Sequence, residues 1–169
     1  TDLMILKYLI QKKKMQANCK LIYKRFSKEE ANLLDISRII SQIKTIKYSA
    51  KTQNIKILKN KLTEIFSNNG FILNIVLKGS NLKINGIKNN TGLALQTGNV
   101  ARFYADILKL QWLYEEDKIK NAIYVCLSKE AQQESYLSNT IHAERALREA
   151  DFFDKIITLP ILFISLDFT

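Results

Sequence analysis

The chain has 169 residues, 47% of them hydrophobic and 25% charged, which suits one soluble globular domain with a buried core. Five Gly and one Pro are too few for a fibrous repeat or a disordered chain, and the isolated Cys19 and Cys126 form neither a disulfide framework nor a zinc-ligand spacing. No segment reaches the roughly 18 uninterrupted apolar residues that span a bilayer, and residues 3–10 lack the basic leader of a signal peptide, so we expect an intracellular (cytoplasmic) protein without a membrane partner.

The positive charge is concentrated in the first part of the chain. Residues 1–70 hold 15 Lys and Arg against 5 Asp and Glu, whereas residues 71–169 hold 11 of each kind. The whole net charge of +10 therefore belongs to the first segment. This asymmetry predicts a polyanionic partner such as nucleic acid, although a Lys-rich solvated surface would give the same counts.

The basic first segment has the pattern of helices. Ser27 and Glu30 have the spacing of a capping box, in which a serine and a glutamate three residues later bond each other's backbone. Two helical stripes of apolar residues follow, over residues 33–43 and 55–66. Gly70 comes directly after the second stripe, where a helix commonly ends in a left-handed residue. We therefore expect this segment to be helical.

The pattern changes after Gly70, where short apolar runs of strand length begin to alternate with helical stripes. The predicted strands cover residues 71–77, 82–84, 92–96, 122–127 and 159–166. The predicted helices cover residues 99–116 and 141–150. This alternation predicts an α/β sandwich with a mixed central sheet flanked by helices. We expect a single domain over residues 1–169, with a basic helical segment over 1–70 and a sheet-containing catalytic core over 71–169.

One hairpin of this core carries polar residues in the arrangement of a phosphodiesterase site. A strand end, a turn and a second strand bring Asn85, Ala94 and Gln96 together, because side chains two apart on a strand share a face. In a metal-dependent phosphodiesterase two carboxylates from adjacent strands hold a divalent cation, and a third polar group orients the attacking water. The alternative interpretation is a β-hairpin with a polar turn and no chemistry.

The hairpin resembles the active-site signature of the BglII and BstYI group of type II restriction endonucleases, within the PD-(D/E)xK nuclease superfamily. In that group an Asp is followed nine residues later by a Glu and two further on by a Gln, the positions held here by Asn85, Ala94 and Gln96. Further similarity lies in Lys88-Asn89, Gly92, Thr97-Gly98-Asn99 and the stretch Arg102 to Leu110. The resemblance covers roughly residues 65–167 and implies a restriction-endonuclease-like fold.

Both acidic positions of the family signature hold other residues. The resemblance makes Asn85, Ala94 and Gln96 the catalytic positions and the first two the metal-ligand positions, with Mg²⁺ as the cofactor of active relatives. Asn85 keeps one neutral oxygen and Ala94 has none, so the charges that neutralise a hard cation are missing. We therefore predict that this chain binds no metal and hydrolyses DNA negligibly. Deliberate silencing of a toxic nuclease and natural decay give the same residues, and the intact surroundings favour the first origin.

The resemblance also indicates which residues face DNA. Relatives read bases from the loop after the active-site strand and from a later loop, which here corresponds to residues 137–140. Basic residues near the signature are candidates for phosphate neutralisation. The candidate DNA-binding residues are Lys88, Gly98, Asn99, Arg102, Ser138 and Asn139. Each of them also suits an ordinary solvated surface.

Two hypotheses follow from the sequence. The first is a type II restriction endonuclease that acts as a homodimer on a short palindrome of double-stranded DNA by Mg²⁺-dependent hydrolysis, here in an inactivated form. The second is a naturally inactive nuclease-fold module that binds DNA or occupies an interface in a larger defence or repair complex.

Overall fold

A computed structural model describes residues 17–134 and 139–168, so the stretch at residues 3–10 and the candidate residue Ser138 lie outside the described residues. The strands are β1 (Asn18–Lys24), β2 (Ile72–Val76), β3 (Lys83–Lys88), β4 (Thr91–Leu95), β5 (Asn121–Leu127) and β6 (Ile161–Asp167). The helices are α1 (Lys28–Leu33), α2 (Ile36–Ile43), α3 (Ile55–Asn68), α4 (Val100–Glu115), α5 (Lys129–Glu134) and α6 (Ala143–Phe152).

The strands form one mixed sheet in the order β1-β6-β5-β4-β3-β2. Strands β4, β5 and β6 run parallel to one another in the middle, and β1, β3 and β2 extend the sheet by antiparallel pairing at its two sides. Every residue of β4 and β5 is buried, because helices cover both faces of the sheet. Burial on both faces accounts for the continuous apolar runs that mark these strands in the sequence.

The sheet separates two hydrophobic cores. Leu93 and Leu95 of β4 pack on the side of helices α1, α2 and α3, whereas Ala94 between them packs on the side of α4 and α6. Helix α4 approaches the sheet closely because Gly92 has no side chain; a Cβ atom there would lie 2.7 Å from Cδ2 of Leu110. The structure confirms the predicted α/β sandwich with a mixed central sheet flanked by helices. None of the helices in the described ranges has the length and apolar character of a membrane-spanning segment.

The predicted capping box is present at the start of α1. The Ser27 side chain accepts a hydrogen bond from the Glu30 backbone at 3.1 Å, and the Ser27 backbone donates to the Glu30 carboxylate at 2.8 Å. The stripe that follows is not one helix, because Asp35 adopts a left-handed conformation with φ of 54° and separates α1 from α2. The predicted end of the next helix is confirmed, since Gly70 has φ of 85° directly after α3.

The prediction of a helical first segment is wrong for residues 18–24, which form the edge strand β1. All seven residues pair antiparallel with β6. The end of β1 is held by Lys24, only 8% exposed, whose ammonium group lies 2.6 Å from the Asp151 carboxylate and 2.9 Å from that of Asp154. These partners are more than 120 residues away in the chain, so local sequence patterns did not indicate this strand. The short helix α5 was not predicted either.

Glu30 also joins helix α1 to the sheet. Its carboxylate accepts a hydrogen bond from the Asn121 amide at 2.7 Å, and the oxygen of that amide accepts one from the Thr91 hydroxyl at 2.6 Å. Burial acts to raise the pKa of Glu30, but the hydrogen bonds from Ser27 and Asn121 outweigh it and hold the pKa below 4.5. The helix, β4 and β5 are therefore connected through one ionised carboxylate.

Replacing Glu30 with Ala is expected to lower the free energy of unfolding by about 1 kcal/mol, because the helix cap and the bond from Asn121 are both lost. The exposed Glu29→Ala is the matched control, with an expected change within about 0.5 kcal/mol. The folded pKa of Glu30 is lowered, so its contribution is present above the unfolded pKa and disappears as pH falls through the folded one. Urea denaturation at about pH 7 and about pH 3 checks this. If Glu30→Ala lowers the free energy of unfolding equally at both pH values, the ionised Glu30 carboxylate is not the stabilising group.

Candidate active-site cleft

The β3–β4 hairpin positions the predicted site residues. Asn89 and Asn90 both have positive φ, 47° and 61°, as the two-residue turn of a twisted hairpin requires. The register pairs Gly86 with Leu93, and continuing it by one position places Asn85 opposite Ala94. Gln96 follows at the end of β4. The structure therefore brings the three positions of the family signature to one edge of the sheet.

Asn85 is anchored to the neighbouring strand by its side-chain oxygen. This oxygen accepts a hydrogen bond of 2.9 Å from the backbone N–H of Leu95. Since the bond identifies which end of the amide is the oxygen, the remaining end is the NH₂ group, which has no hydrogen-bond partner among the described residues. The one side-chain oxygen at this family metal-ligand position is thus already engaged within the hairpin.

Asn74 belongs to the same row of side chains but was not singled out from the sequence. The β2–β3 register pairs Leu73 with Gly86 and Ile75 with Ile84, which places Asn74 across from Asn85. Asn74 has φ of 55°, a left-handed conformation in the middle of a strand. Strained backbone of this kind clusters at functional sites. A lone Asn inside an otherwise apolar strand pattern was the signal that could have identified it.

Gln96 is held by two hydrogen bonds beneath the surface. Its backbone N–H donates to the Val125 carbonyl at 2.8 Å, and its side-chain oxygen accepts from the Gly98 backbone at 2.7 Å. Ala94 and Gln96 are only 2% and 3% exposed. The Gln96 side chain therefore holds the loop that follows β4. Its bond also occupies the Gly98 N–H, which is not free to bind a ligand.

Two buried polar groups beside Ala94 lack partners. They are the Gln96 side-chain nitrogen and the Tyr124 hydroxyl, and no other buried side-chain N or O atom in the described part of the chain is unsatisfied. Tyr124 is the register partner of Ala94 on β5. Burial raises the pKa of Tyr124 well above 10; Gln96 is near enough to act on that pKa, yet the two groups form no hydrogen bond of good geometry. A longer acceptor side chain at position 94 would suit both donors.

A cleft of about 230 Å³ opens where β3, β4 and α4 meet, and it is lined mainly by polar side chains. Its charged lining residues are Lys59, Lys83, Arg102, Lys109 and Asp106. The single carboxylate, that of Asp106, lies 2.7 Å from the Lys109 ammonium group, which also donates to the Lys83 carbonyl at 2.8 Å. The uncharged polar lining residues are Asn74, Asn85, Gln96 and Thr97. The cleft is therefore strongly cationic.

The residues of this cleft do not fit a Mg²⁺ ion. Magnesium prefers oxygen ligands, and carboxylates supply the charge that compensates its dehydration. The Ala94 side chain has no oxygen, the Asn85 side-chain oxygen is bonded to the Leu95 N–H, and Asp106 is paired with Lys109. Over residues 17–134 and 139–168, no group of three or more His, Cys, Asp or Glu residues could hold a metal ion. We therefore assign no metal-dependent step to this chain.

The two loops predicted to read DNA lie side by side. The N–H of Val100, at the start of α4, donates to the Asn139 carbonyl at 2.7 Å, and Asn99 forms an antiparallel bridge with Thr140. The Asn99 side chain caps α4 by accepting from the Arg102 backbone at 3.2 Å. The end of the loop after β4 therefore lies against residues 139 and 140, the described residues of the second loop.

The two candidate phosphate-binding residues lie in different places. Arg102 lines the cleft, and its side chain crosses the loop at Gly98, where a Cβ atom would lie 2.6 Å from Cδ of Arg102. Lys88 lies at the turn end of the hairpin, with its ammonium group 6.0 Å from the centre of the Phe71 ring, and it does not line the cleft. The structure therefore groups Arg102, but not Lys88, with the signature positions.

The buried Tyr124 hydroxyl, which has no hydrogen-bond partner among the described residues, leads to a prediction about the stability of the fold. Tyr124→Phe is expected to raise the free energy of unfolding by about 1 kcal/mol, because it removes a buried hydroxyl without a partner. Tyr48→Phe is the matched control and is expected to lower it by about 1 kcal/mol, since the Tyr48 hydroxyl donates to the Gln53 carbonyl at 3.3 Å. Urea denaturation of both variants checks the pair. If both variants lose the same free energy of unfolding, the Tyr124 hydroxyl has a hydrogen-bond partner in solution.

Comparisons with known proteins agree with this architecture. The family model described as "Restriction endonuclease BglII/BglIII" matches residues 17–166. A crystal structure of restriction endonuclease BglII complexed with a DNA 16-mer matches with a TM-score of 0.74 at 12% sequence identity, covering 88% of this chain and 77% of that chain. The likeness confirms the predicted restriction-endonuclease-like fold. Among curated proteins there is no significant match.

Proposed function

The chain belongs to the BglII/BglIII restriction endonuclease family, and we propose that it is a type II restriction endonuclease in a catalytically inactivated form. It binds a short palindromic site in double-stranded DNA as a homodimer and does not cut it. The observation that carries this proposal is the pairing of Asn85 with Ala94 across β3 and β4, because these are the two acidic positions of the family signature and neither supplies a carboxylate.

Double-stranded DNA is the proposed partner for three reasons. One similar solved structure is that of BglII in complex with a DNA 16-mer. The cleft beside the signature positions is lined by four cationic side chains and one carboxylate, a balance that attracts phosphate. The net charge of +10 provides a further long-range attraction to a polyanion.

Each residue has a place in this proposal. Asn85, Ala94 and Gln96 hold the catalytic positions, and the first two also hold the positions at which active relatives bind Mg²⁺. The adjoining loops contact bases, and the basic residues contact phosphates. The DNA-contacting residues are Lys88, Gly98, Asn99, Arg102, Ser138 and Asn139. In this proposal residues 1–169 belong to one nuclease-fold domain, which consists of the basic first segment (1–70) and the catalytic core (71–169).

Restoring both carboxylates is the decisive test. The double variant Asn85→Asp with Ala94→Glu is expected to cut a long DNA into discrete fragments in the presence of Mg²⁺, because both oxygen ligands for the cation return. The original chain is expected to give no fragments. Gel electrophoresis of the digests reads the result.

The matched control makes the same two kinds of change at exposed positions outside the cleft, Asn68→Asp with Ala105→Glu, and it should leave the DNA intact. If the restored protein folds and binds DNA but does not cut it, the inactivated-enzyme proposal is rejected. The chain would then be a nuclease-fold module that only binds DNA or occupies an interface in a larger complex.

DNA affinity is expected to fall steeply with salt. Lys59, Lys83 and Arg102 are the cleft cations with no ion-pair partner among the described residues. If each neutralises one phosphate, affinity should drop roughly 40-fold between about 50 mM and about 200 mM salt. Fluorescence anisotropy with a labelled duplex measures this dependence. Binding that stays constant over the same range would remove phosphate contacts as the source of affinity.

A further inference from the structure

We propose that the cleft between β3, β4 and α4 is an anion site that holds a phosphate group directly, without a bridging metal ion. The inference deepens the proposed function, on which it rests for the identity of the ligand as a DNA phosphate. The capacity to bind phosphate is a property of the cleft alone and can be measured in the absence of DNA.

The balance of charge in the cleft carries this inference. Four of its lining side chains are cationic and one is anionic. The carboxylate is satisfied, because Asp106 pairs with Lys109 at 2.7 Å. Lys59, Lys83 and Arg102 have no carboxylate within ion-pair distance in the part of the chain that the structure describes. Unpaired cations gathered around one small cavity attract an anion and repel a divalent cation.

The two signature positions explain the sign of this charge. Two carboxylates at positions 85 and 94 would cancel most of the positive charge contributed by the surrounding lysines and arginine. With Asn85 and Ala94 in their place, the same basic residues are present and Asp106 is the one lining carboxylate that offsets them. The replacement therefore does more than remove metal ligands, because it changes the kind of ion that the cleft prefers.

Neutral donors strengthen the preference for an anion. The Asn85 oxygen is engaged with the Leu95 N–H, so the group that this side chain has left for a ligand is an NH₂ donor. Asn74 lines the cleft beside it and contributes a second amide. Phosphate oxygens accept hydrogen bonds from both cations and amides. A volume of about 230 Å³ is sufficient for one phosphate group.

The first experiment titrates the full chain with inorganic phosphate in EDTA and follows amide resonances by NMR, at constant ionic strength with chloride as the reference anion. The side-chain amides of Asn74 and Asn85 and the backbone of residues 95–97 are expected to shift together and saturate. Shifts spread evenly over exposed lysines, or the same response to chloride, would overturn the proposal.

Variants test the charges one at a time. Lys83→Gln and Arg102→Gln are each expected to weaken phosphate binding about tenfold, the usual effect of losing one charge-assisted hydrogen bond. Lys118→Gln is the matched control, since this exposed lysine precedes β5 at the opposite end of the strands from the cleft. An equal effect of all three variants would indicate general screening and overturn the site.

The restored variant Asn85→Asp with Ala94→Glu tests the site by adding negative charge to the cleft instead of removing positive charge. It is expected to bind inorganic phosphate at least about tenfold more weakly than the original chain, because two negative charges enter the cleft. Calorimetry should show Mg²⁺ binding to the restored variant only. Unchanged phosphate affinity in the restored variant would overturn the anion site.

DNA binding separates this inference from the proposed function. At fixed ionic strength, the affinity of the original chain for DNA is expected to be the same in EDTA as with Mg²⁺. If DNA binds only when Mg²⁺ is added, the anion site is wrong while the DNA-binding function stands. If phosphate binds in the cleft but DNA does not bind at all, the anion site stands and the proposed function fails.

Discussion

The pairing of β4 with a neighbour on each side is the constraint on which the site depends. Its parallel pairing with β5 holds it inside the sheet, where helices cover both faces, and its antiparallel pairing with β3 aligns Asn85 with Ala94. The same pairing places Gln96 directly after the strand, where it holds the loop that leads into α4. A shift of one residue would turn these side chains to the other face of the sheet. The cleft is therefore a consequence of strand register.

Asn85 and Ala94 fit the hairpin in which they lie, although neither side chain carries a carboxylate. Asn85 retains an oxygen that accepts from the Leu95 backbone, and Ala94 is small enough to be buried in the core beneath α4. Their polar surroundings are less well satisfied. Among the described residues, two buried polar groups beside these positions lack hydrogen-bond partners, and basic side chains face a cleft with one carboxylate among them. The hairpin is thus well packed at Asn85 and Ala94, while the cleft beside them has an excess of positive charge.

Most of the fold could be predicted where local patterns are strong. The capping box at Ser27 and Glu30, the helical end at Gly70 and the β3–β4 hairpin each depend on residues close in sequence, and the structure has all three. Strand β1 was missed because its ends are defined by β6 and by the pairing of Lys24 with Asp151 and Asp154. Asn74 was missed because its place across from Asn85 depends on the pairing of β2 with β3, which local sequence patterns do not show.

The sequence by itself determined the succession of the central strands and helices along the chain. It also determined the spacing of Asn85, Ala94 and Gln96 and the excess of positive charge. These are properties of composition and of neighbours along the chain. Only the tertiary structure decided which charges share a cleft. Lys59 comes from α3, Lys83 from β3 and Arg102 from α4, and no local pattern indicates that they converge. Electrostatic interaction depends on distance in space, and that distance is set by the packing of the sheet against its helices.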